Sequence, residues 1–293
     1  MRRLAFGCFV LLLAACSGVQ QVAEPIPSDT NAWTLPDLGT DEIVAEFPYG
    51  RVVLTPSLGG GVEAARGSWD PDVEDAGVRF WRAGLEVRSG PYLIALGVTR
   101  AGANKADEKC AANWDLLDLG AKLVPPGYAR PDHIEVSLHD YFPFFGGGPT
   151  VSVLIRGRNR SLPRTTEWVR PDIGEKHIEF ESPIGAVTVA PGLNDGLAGV
   201  WCRWRVSEHG QGGAVHGTLA VLKIGRSVVS AGMADIGSAG GLSNQSQAWL
   251  MNDIGGALVP PENAHPRELE FSVFKQDEFG IHKLFTQTVP FAP

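Results

Sequence analysis

The strongest constraint on the fold of this chain is an internal repeat. The segment that begins Trp33-Thr-Leu-Pro-Asp-Leu-Gly matches, 135 positions later, the segment that begins Trp168-Val-Arg-Pro-Asp-Ile-Gly. The register continues without a gap to the segments that begin at Trp114 and at Trp249, both of which end in Leu-Val-Pro-Pro. A period of this length is close to the size of one ordinary domain and far longer than the repeats of solenoid proteins. The repeat therefore predicts two tandem copies of one folding unit.

The repeat also divides the chain. The first unit covers 33–157, the second covers 168–293, and 158–167 form the linker between them. Each unit is long enough to bury a core of its own. Because the linker is short, we expect the two units to touch.

The first residues have the parts of a secretory signal. Met1-Arg2-Arg3 is positively charged, and 4–13 form an apolar run that is too short to cross a bilayer comfortably. The run ends in Leu13-Ala14-Ala15-Cys16, which resembles the lipobox of bacterial lipoproteins. The resemblance implies that the signal peptide 1–15 is removed and that Cys16 carries acyl chains such as palmitate. The alternative is an ordinary signal peptide with an incidental cysteine.

The next segment, 16–32, is polar and contains proline, as expected of a flexible lipidated tether. Two or more acyl chains would anchor it stably at a membrane surface. By the sorting rule of such lipoproteins, Ser17 after the cysteine implies the outer membrane in a cell that has one. We therefore expect a lipid-anchored protein of the cell envelope, with its folded units in water.

Composition limits the partners and the fold class. The formal net charge is −8 and the chain has no basic run, which disfavours nucleic acid as a partner. Thirty-six glycines and twenty-one prolines favour strands and turns over a helical bundle.

Hydrophobic periodicity gives each unit the order β-β-β-β-α-β-β. Most segments alternate or end at proline, but 106–121 carries apolar residues at spacings of three and four, which predicts a helix. The predicted fold is α+β, with two tandem copies of an antiparallel sheet covered by one helix; the alternative is a pair of tandem β-sandwiches. The strands predicted in the first unit lie at 50–56, 78–88, 92–99, 133–139 and 150–155, with a further strand after the glycine turn at 59–61.

Two cysteines of the mature chain remain beside the lipidated one. Cys110 and Cys202 are not equivalent in the repeat register, so a disulfide between them would join the two units. By the chain-entropy model such a bridge stabilises by about 4 kcal/mol. The alternative is two buried free thiols, since Cys202 alternates with apolar residues on one face of a strand.

Aromatic residues supply the candidate contact sites. Six tryptophans form matched pairs at 33/168, 69/204 and 114/249, which favours a shared core, although two copies of one binding site would leave the same pattern. One aromatic loop has no counterpart in the second unit. Its residues Tyr141, Phe142, Phe144 and Phe145 are a possible partner or ligand contact, or alternatively pack back onto the sheet.

Evidence for chemistry is weak. The histidines and the acidic run 70–75 lack the spacing of metal ligands, and no nucleophile motif occurs, so we predict no metal, no cofactor and no catalytic residue. The predicted function is a non-catalytic binding or scaffolding lipoprotein whose partner is another envelope protein or a glycan. One alternative is an envelope hydrolase of glycan or lipid that uses the matched pair Glu135 and Glu270. The other is a carrier of a hydrophobic ligand.

Overall fold

The computed structural model describes residues 33–81, 83–100, 110–117, 123–140, 150–157, 168–192, 197–204, 218–234, 246–252, 258–277 and 280–292. The expected signal peptide, lipidated Cys16, tether, linker and aromatic loop lie outside these ranges. The described chain is mostly antiparallel β-sheet with very few helices, and its two sheets give it a β-sandwich-like organisation.

The first sheet has eight strands in the order β1-β2-β3-β6-β5-β4-β7-β8, and every neighbouring pair is antiparallel. One short helix, α1 (Ala76–Trp81), lies between β3 and β4. The strands are β1 (Ile43–Phe47), β2 (Gly50–Pro56), β3 (Val62–Trp69), β4 (Ala83–Ser89), β5 (Tyr92–Thr99), β6 (Ala111–Leu116), β7 (His133–Asp140) and β8 (Thr150–Leu154).

The second sheet also has eight strands, in the order β9-β10-β11-β14-β13-β12-β15-β16. This order repeats that of the first sheet strand for strand. The strands are β9 (Ile178–Ser182), β10 (Gly185–Pro191), β11 (Leu197–Trp204), β12 (Thr218–Ile224), β13 (Ser227–Ala234), β14 (Ser246–Asn252), β15 (Glu268–Asp277) and β16 (Gly280–Pro290). Two 3-10 helices, Pro126–Tyr128 and Pro261–Asn263, follow the Val-Pro-Pro segments.

Pairing registers agree as well as strand order. Ala65 lies opposite Trp114 in the first sheet, and Val200, 135 positions after Ala65, lies opposite Trp249 in the second. The register shift that interrupts β4 between Val87 and Arg88 also recurs, between Leu222 and Lys223 of β12. Corresponding residues therefore have corresponding neighbours in the two sheets.

The predicted helix in each unit is wrong. Residues 111–116 and 246–252 of the predicted helices are strands β6 and β14 instead. In β6, Ala112 and Trp114 are buried while Ala111 and Asn113 are exposed, which is the alternation of a strand. The sequence was ambiguous because a spacing of four residues is both one helical turn and two strand periods.

In the sequence analysis one strand is predicted to begin too early, and the helix α1 and two strands are missed. Residues 78–81 of the predicted strand 78–88 belong to α1, and the strand β4 begins only at Ala83. The five-residue strands β1 and β9 were not predicted at all. In both sheets the missed strand closes the structure: β1 contacts β8, and the Gln287 side chain of β16 donates a hydrogen bond of 2.9 Å to the carbonyl of Glu181 in β9.

Each sheet curls around a core of its own. Trp114 anchors the first core, where its Nε1 donates to the carbonyl of Ala83 at 2.8 Å and its ring lies 6.0 Å from that of Phe80. Trp249 occupies the same place in the second core, with Nε1 at 3.1 Å from the Thr218 hydroxyl and its ring 5.8 Å from Phe271. Side chains from these cores fill the interior of both sheets.

A third core, which we call the seam, lies between the sheets. Strands β5 and β12 are buried along their whole length, because one face of each packs on its own core and the other belongs to the seam. The seam is formed by Leu93, Leu96, Val98 and Leu117 from the first sheet and by Leu219, Val221, Val228, Ala231 and Phe274 from the second. The seam therefore joins the two sheets by apolar burial, as a short linker suggested.

Candidate binding cleft at the seam

One end of the seam opens into a small cleft lined by both sheets. We call this the seam cleft. The volume of the cleft is about 10 Å³, which is about the space that one water molecule needs. Its lining consists of Trp33, Arg88, Pro91, Tyr92, Leu93, Trp168, Arg226, Ser227 and Val228.

Two hairpins position the cleft. The β4–β5 hairpin turns at Gly90, and the β12–β13 hairpin turns at Gly225, with φ of 59° and 56°. Glycine is suited to this left-handed conformation, and a Cβ at Gly90 would lie 2.4 Å from the ring of Tyr128. A Cβ at Gly225 would lie 2.6 Å from the side chain of Asn263, which is the residue that corresponds to Tyr128. The same tight turn thus delivers residues from each sheet to the cleft.

The two tryptophans arrive by corresponding routes. Trp33 precedes Thr34, which forms an isolated bridge with Val124, and Trp168 precedes Val169, which forms the equivalent bridge with Val259. Eight of the nine lining residues pair off in the repeat register, as 33 with 168, 91 with 226, 92 with 227 and 93 with 228, and Arg88 is the ninth. The cleft therefore lies where equivalent parts of the two sheets meet.

Tyr92 lies at the centre of this aromatic group. Its ring makes edge-on contacts with Trp33 at 5.3 Å, with Trp168 at 5.0 Å and with Tyr128 at 4.8 Å between centroids. Such T-shaped contacts are favourable ring geometries. The guanidinium of Arg226 lies over the Trp33 ring at 5.2 Å, a cation–π contact between the two sheets.

Three polar hydrogens at this cleft are buried and unpaired. Within the described residues, Nε1 of Trp33, Nε1 of Trp168 and the hydroxyl of Tyr92 have no hydrogen-bond partner. Trp168 and Tyr92 are only 8% and 5% exposed. Burial raises the pKa of Tyr92 above its usual value, with smaller contributions from Tyr128 and the charge of Glu262, so the phenol stays protonated and able to donate.

A buried charge network borders the cleft. Arg88 forms an ion pair with Glu86 and donates to the carbonyl of Pro91 at 2.7 Å, while His139 Nε2 lies 2.7 Å from the other oxygen of Glu86. Burial alone would raise the pKa of Glu86, but the hydrogen bond with His139 and the charge of Arg88 outweigh it, and the pKa is lowered. The network holds Arg88 at the cleft wall.

The second sheet lacks this network. Val221 and Phe274 stand at the positions that correspond to Glu86 and His139, and both belong to the seam. Lys223, the counterpart of Arg88, pairs with Glu270 at 3.1 Å. The two sheets therefore share their backbone pattern but bring different side chains to their outer faces.

Gln276 fixes the far side of the seam. Its side-chain amide donates hydrogen bonds to the carbonyl of Thr99 at 2.7 Å and to the carboxylate of Asp115 at 3.2 Å. Asp115 also accepts a hydrogen bond of 2.8 Å from Arg100. These bonds join β15 of the second sheet to the first sheet. They fix how the two sheets are aligned along the apolar seam.

No family model, no curated protein and no solved structure matches the chain.

The structure places some of the predicted site residues and leaves others undescribed. Tyr141, Phe142, Phe144, Phe145 and Cys16 lie outside the described ranges. Cys110 packs against the first core and Cys202 is fully buried in the second, and both are free thiols.

The matched acids lie on different sheets, each beside a basic residue of its own sheet. Glu270 forms the ion pair with Lys223, and Glu135 faces Arg88 in the register of β4 and β7. Glu270 is thus held in an ion pair, and Glu135 lies opposite a basic residue in the strand register.

The described members of the tryptophan pairs all pack in or against a core. Trp69, Trp114 and Trp249 belong to the cores. Trp168 also belongs to the first core and Trp33 packs against it, and these two additionally line the seam cleft. The sequence did not single out Tyr92, Arg88 or Arg226. A signal was present: both hairpin turns fall in the repeat register, which brings the residues that flank them together if the units meet at these turns.

The described ranges contain neither a helix able to span a membrane nor a metal-binding group of side chains. No helix there has the length and apolar character needed to cross a membrane. Nor do those residues include a group of three or more histidine, cysteine or acidic side chains placed to hold a metal ion.

Proposed function

We propose that this protein is a lipid-anchored lipoprotein of the cell envelope that consists of two tandem copies of one eight-stranded unit and binds a partner, without catalysis, at the seam cleft. The observation that carries the proposal is that three residues with buried, unpaired donors, Trp33, Trp168 and Tyr92, and two arginines line one cleft between the sheets. Buried polar groups are normally paired, so a cluster of unpaired ones points to a ligand-facing role.

The tandem-copy part of the proposal is supported by topology. Strand order, the registers at Trp114 and Trp249, and the shifts at Arg88 and Lys223 recur at the same offset as the sequence repeat. Duplication places equivalent hairpins side by side, which is how one cleft comes to have two tryptophans from distant parts of the chain.

The anchoring part of the proposal rests on the sequence. The segment Leu13-Ala14-Ala15-Cys16 follows a charged end and an apolar run, and Ser17 favours the outer membrane. Its test is metabolic labelling with palmitate and membrane fractionation of wild type and Cys16→Ser. We expect label and outer-membrane sedimentation in wild type only. Equal labelling of both proteins would refute lipidation at this cysteine.

Two observations favour binding over the alternatives. Glu135 and Glu270, the pair considered for a hydrolase, each lie beside a basic residue of their own sheet. The interiors in which a hydrophobic ligand would travel are filled by aromatic side chains such as Phe80 and Phe271, which are fully buried. The lining of the seam cleft, in contrast, includes three residues whose buried donors have no partner among the described residues.

Photo-cross-linking in living cells tests the binding proposal. A benzophenone amino acid replaces Ser227, which lines the cleft and is half-buried, or Leu58, which is 96% exposed on a turn and serves as the control. We expect a discrete adduct from position 227 that is absent at position 58 and that disappears on Trp33→Ala. An identical adduct pattern at both positions, or no adduct at 227, would refute the cleft as the binding surface.

A further inference from the structure

Within the described ranges, the two most exposed large apolar side chains belong to the first sheet. Leu58, in the turn between β2 and β3, is 96% exposed, and Leu154, the last residue of β8, is 59% exposed. Because neighbouring strands alternate in direction around the sheet, β2 and β8 finish at the same end of it. We call this the entry end, and it comprises the turn 57–61, Leu154 and the segment 33–36 where the described chain begins.

The backbone of the turn holds Leu58 in solvent. The Ser57 N–H donates to the carbonyl of Gly61 at 3.0 Å, and the Gly60 N–H donates to the carbonyl of Ser57 at 2.9 Å. Gly60 and Gly61 have φ of 94° and 78°, a conformation that favours glycine. The closed turn fixes the backbone on both sides of Leu58, so this side chain does not fold back onto the sheet.

The same turn is tied to the segment through which the chain enters the first sheet. The Gly61 N–H donates to the carbonyl of Pro36 at 2.7 Å. A Cβ at Gly60 would lie 2.9 Å from the Cβ of Leu35. Leu58 therefore stays beside the entering chain, whatever direction that chain comes from.

The length of chain before this segment limits how far the entry end can move from the anchor. Sixteen residues, 17–32, separate Cys16 from Trp33. Even when fully extended, this length keeps Trp33 within about 60 Å of the lipidated cysteine. The entry end is thus the part of the folded protein nearest along the chain to the membrane.

The chemistry of the turn favours hydrocarbon over a protein as its partner. Residues 56–62 and 33–36 include no charged side chain, and the nearest charges along the chain are Asp37 and Glu63. Burial of an apolar side chain is favourable without any directional contact, so hydrocarbon suffices. Protein interfaces rely on clusters of aromatic and arginine anchors, whereas this turn offers one aliphatic side chain among serine and glycine.

We propose that the entry end lies against the bilayer, with Leu58 inserted at the boundary between the lipid headgroups and the acyl chains. The inference rests on the lipid anchor in the proposed function and adds the surface that faces the membrane. An anchored chain meets the bilayer as an intramolecular partner, so one leucine can hold an orientation that it could not hold from solution. Leu154, at the same end, adds a second apolar contact.

Photolabelling from inside the membrane tests this orientation. The lipidated protein is reconstituted into phosphatidylcholine vesicles whose acyl chains carry a diazirine, and adducts are located by mass spectrometry of tryptic peptides. Peptide 52–66 contains Leu58, whereas peptide 67–79 contains Val73 and Val78, which are also exposed but lie between β3 and β4 at the opposite end. We expect at least about tenfold more adduct in 52–66 than in 67–79. Equal labelling of the two peptides, or none in 52–66, would overturn the proposal.

A substitution at the tip locates the contact. Leu58→Ser should lower the labelling of peptide 52–66 about three- to tenfold, because the apolar side chain that enters the bilayer is lost. Leu284→Ser is the matched control, since Leu284 is also exposed but lies on β16 of the second sheet, and it should leave the labelling unchanged. Circular dichroism checks that both variants stay folded. Equal effects of the two substitutions would contradict insertion at the turn.

The other outcomes separate this inference from the function on which it rests. A protein-sized adduct from benzophenone at position 58 in cells would mean that a protein covers the turn, and would overturn the membrane contact. If palmitate labels the wild type while peptide 52–66 acquires no diazirine adduct, the anchor stands and the surface proposed here is wrong. If palmitate does not label Cys16, the anchor itself is wrong, and the membrane contact is overturned with it.

Discussion

The two sheets have the same strand order, but different residues pack against the buried tryptophan of each core. In the first core Phe80, from the short helix α1, packs near Trp114. In the second core the ring near Trp249 comes from Phe271 of strand β15, where the first sheet has Val136. The comparison teaches that the backbone pattern and the buried tryptophan are shared, whereas the partner that completes the core is not.

The largest expected effect comes from substituting Phe80, whose ring the helix α1 supplies to the first core. Phe80→Ala should lower the free energy of unfolding by about 3–5 kcal/mol, because a fully buried ring is lost and a cavity remains. The double variant Phe80→Ala with Val136→Phe places the ring where the second sheet has it and should recover part of that loss. Urea unfolding followed by tryptophan fluorescence measures both. A double variant less stable than Phe80→Ala alone would show that the two cores are not interchangeable.

The charge network of the first sheet gives the next largest effect. Glu86→Val copies the second sheet at one position and leaves Arg88 and His139 without their acid, which should destabilise by about 3 kcal/mol. The triple variant Glu86→Val, Arg88→Lys, His139→Phe copies all three positions and should be more stable than the single variant. Urea midpoints of the three proteins provide the test, and a triple variant that is no better than the single one would refute this account of the network.

The network of Glu86, Arg88 and His139 also predicts that lowering the pH reduces the stability of the first sheet. The pKa of Glu86 is lowered in the folded protein relative to its ordinary value of 4.5. The unfolded state therefore binds the proton more tightly, so the stabilisation is present above about pH 4.5 and is lost as the pH falls through the folded pKa. Between pH 6 and pH 3 the wild-type urea midpoint should fall more steeply than that of the triple variant. Parallel pH profiles would contradict the assignment.

The smallest effect concerns the two thiols, which lie in different cores. Cys202 is fully buried, and burial together with the charge of Glu181 raises its pKa to about 12, whereas Cys110 is partly exposed. Iodoacetamide should label Cys110 at least about tenfold faster than Cys202 in the native protein, because the thiolate is the reactive form. Both should react in urea without reductant, as read by peptide mass spectrometry. A failure of both to react under those conditions would reveal a disulfide between them.

Much of the sheet pattern could be predicted from the sequence, and the reasons for the misses are physical. Strands β2, β7 and β10 stand out because they alternate or end at proline, and β5 because a short glycine turn joins it to the strand before it. Strand β6 was mistaken for a helix because Cys110 and Trp114, four residues apart, fit both the helical and the strand period. The strands β1 and β9 are only five residues long, and their place is determined by contacts with strands distant in the chain.

The cleft was harder to predict than the fold. The repeat directed attention to the junction of the two units, but Trp33, Tyr92 and Trp168 are far apart in the chain. Only the turns at Gly90 and Gly225, together with the bridges beside the tryptophans, bring these rings together. Matched tryptophans alone do not predict a cleft, because Trp33 and Trp168 line it while also packing in or against the first core.

The central claim is that two corresponding sheets are joined by the seam into one body, with the cleft at its edge. The most direct test is whether they unfold together. Urea unfolding is followed by circular dichroism for wild type, for Phe80→Ala in the first core and for Phe271→Ala in the second. If the seam joins the sheets into one body, unfolding shows a single transition, and both substitutions shift its midpoint to a lower urea concentration. Two transitions, each moved only by the substitution in its own sheet, would contradict the claim.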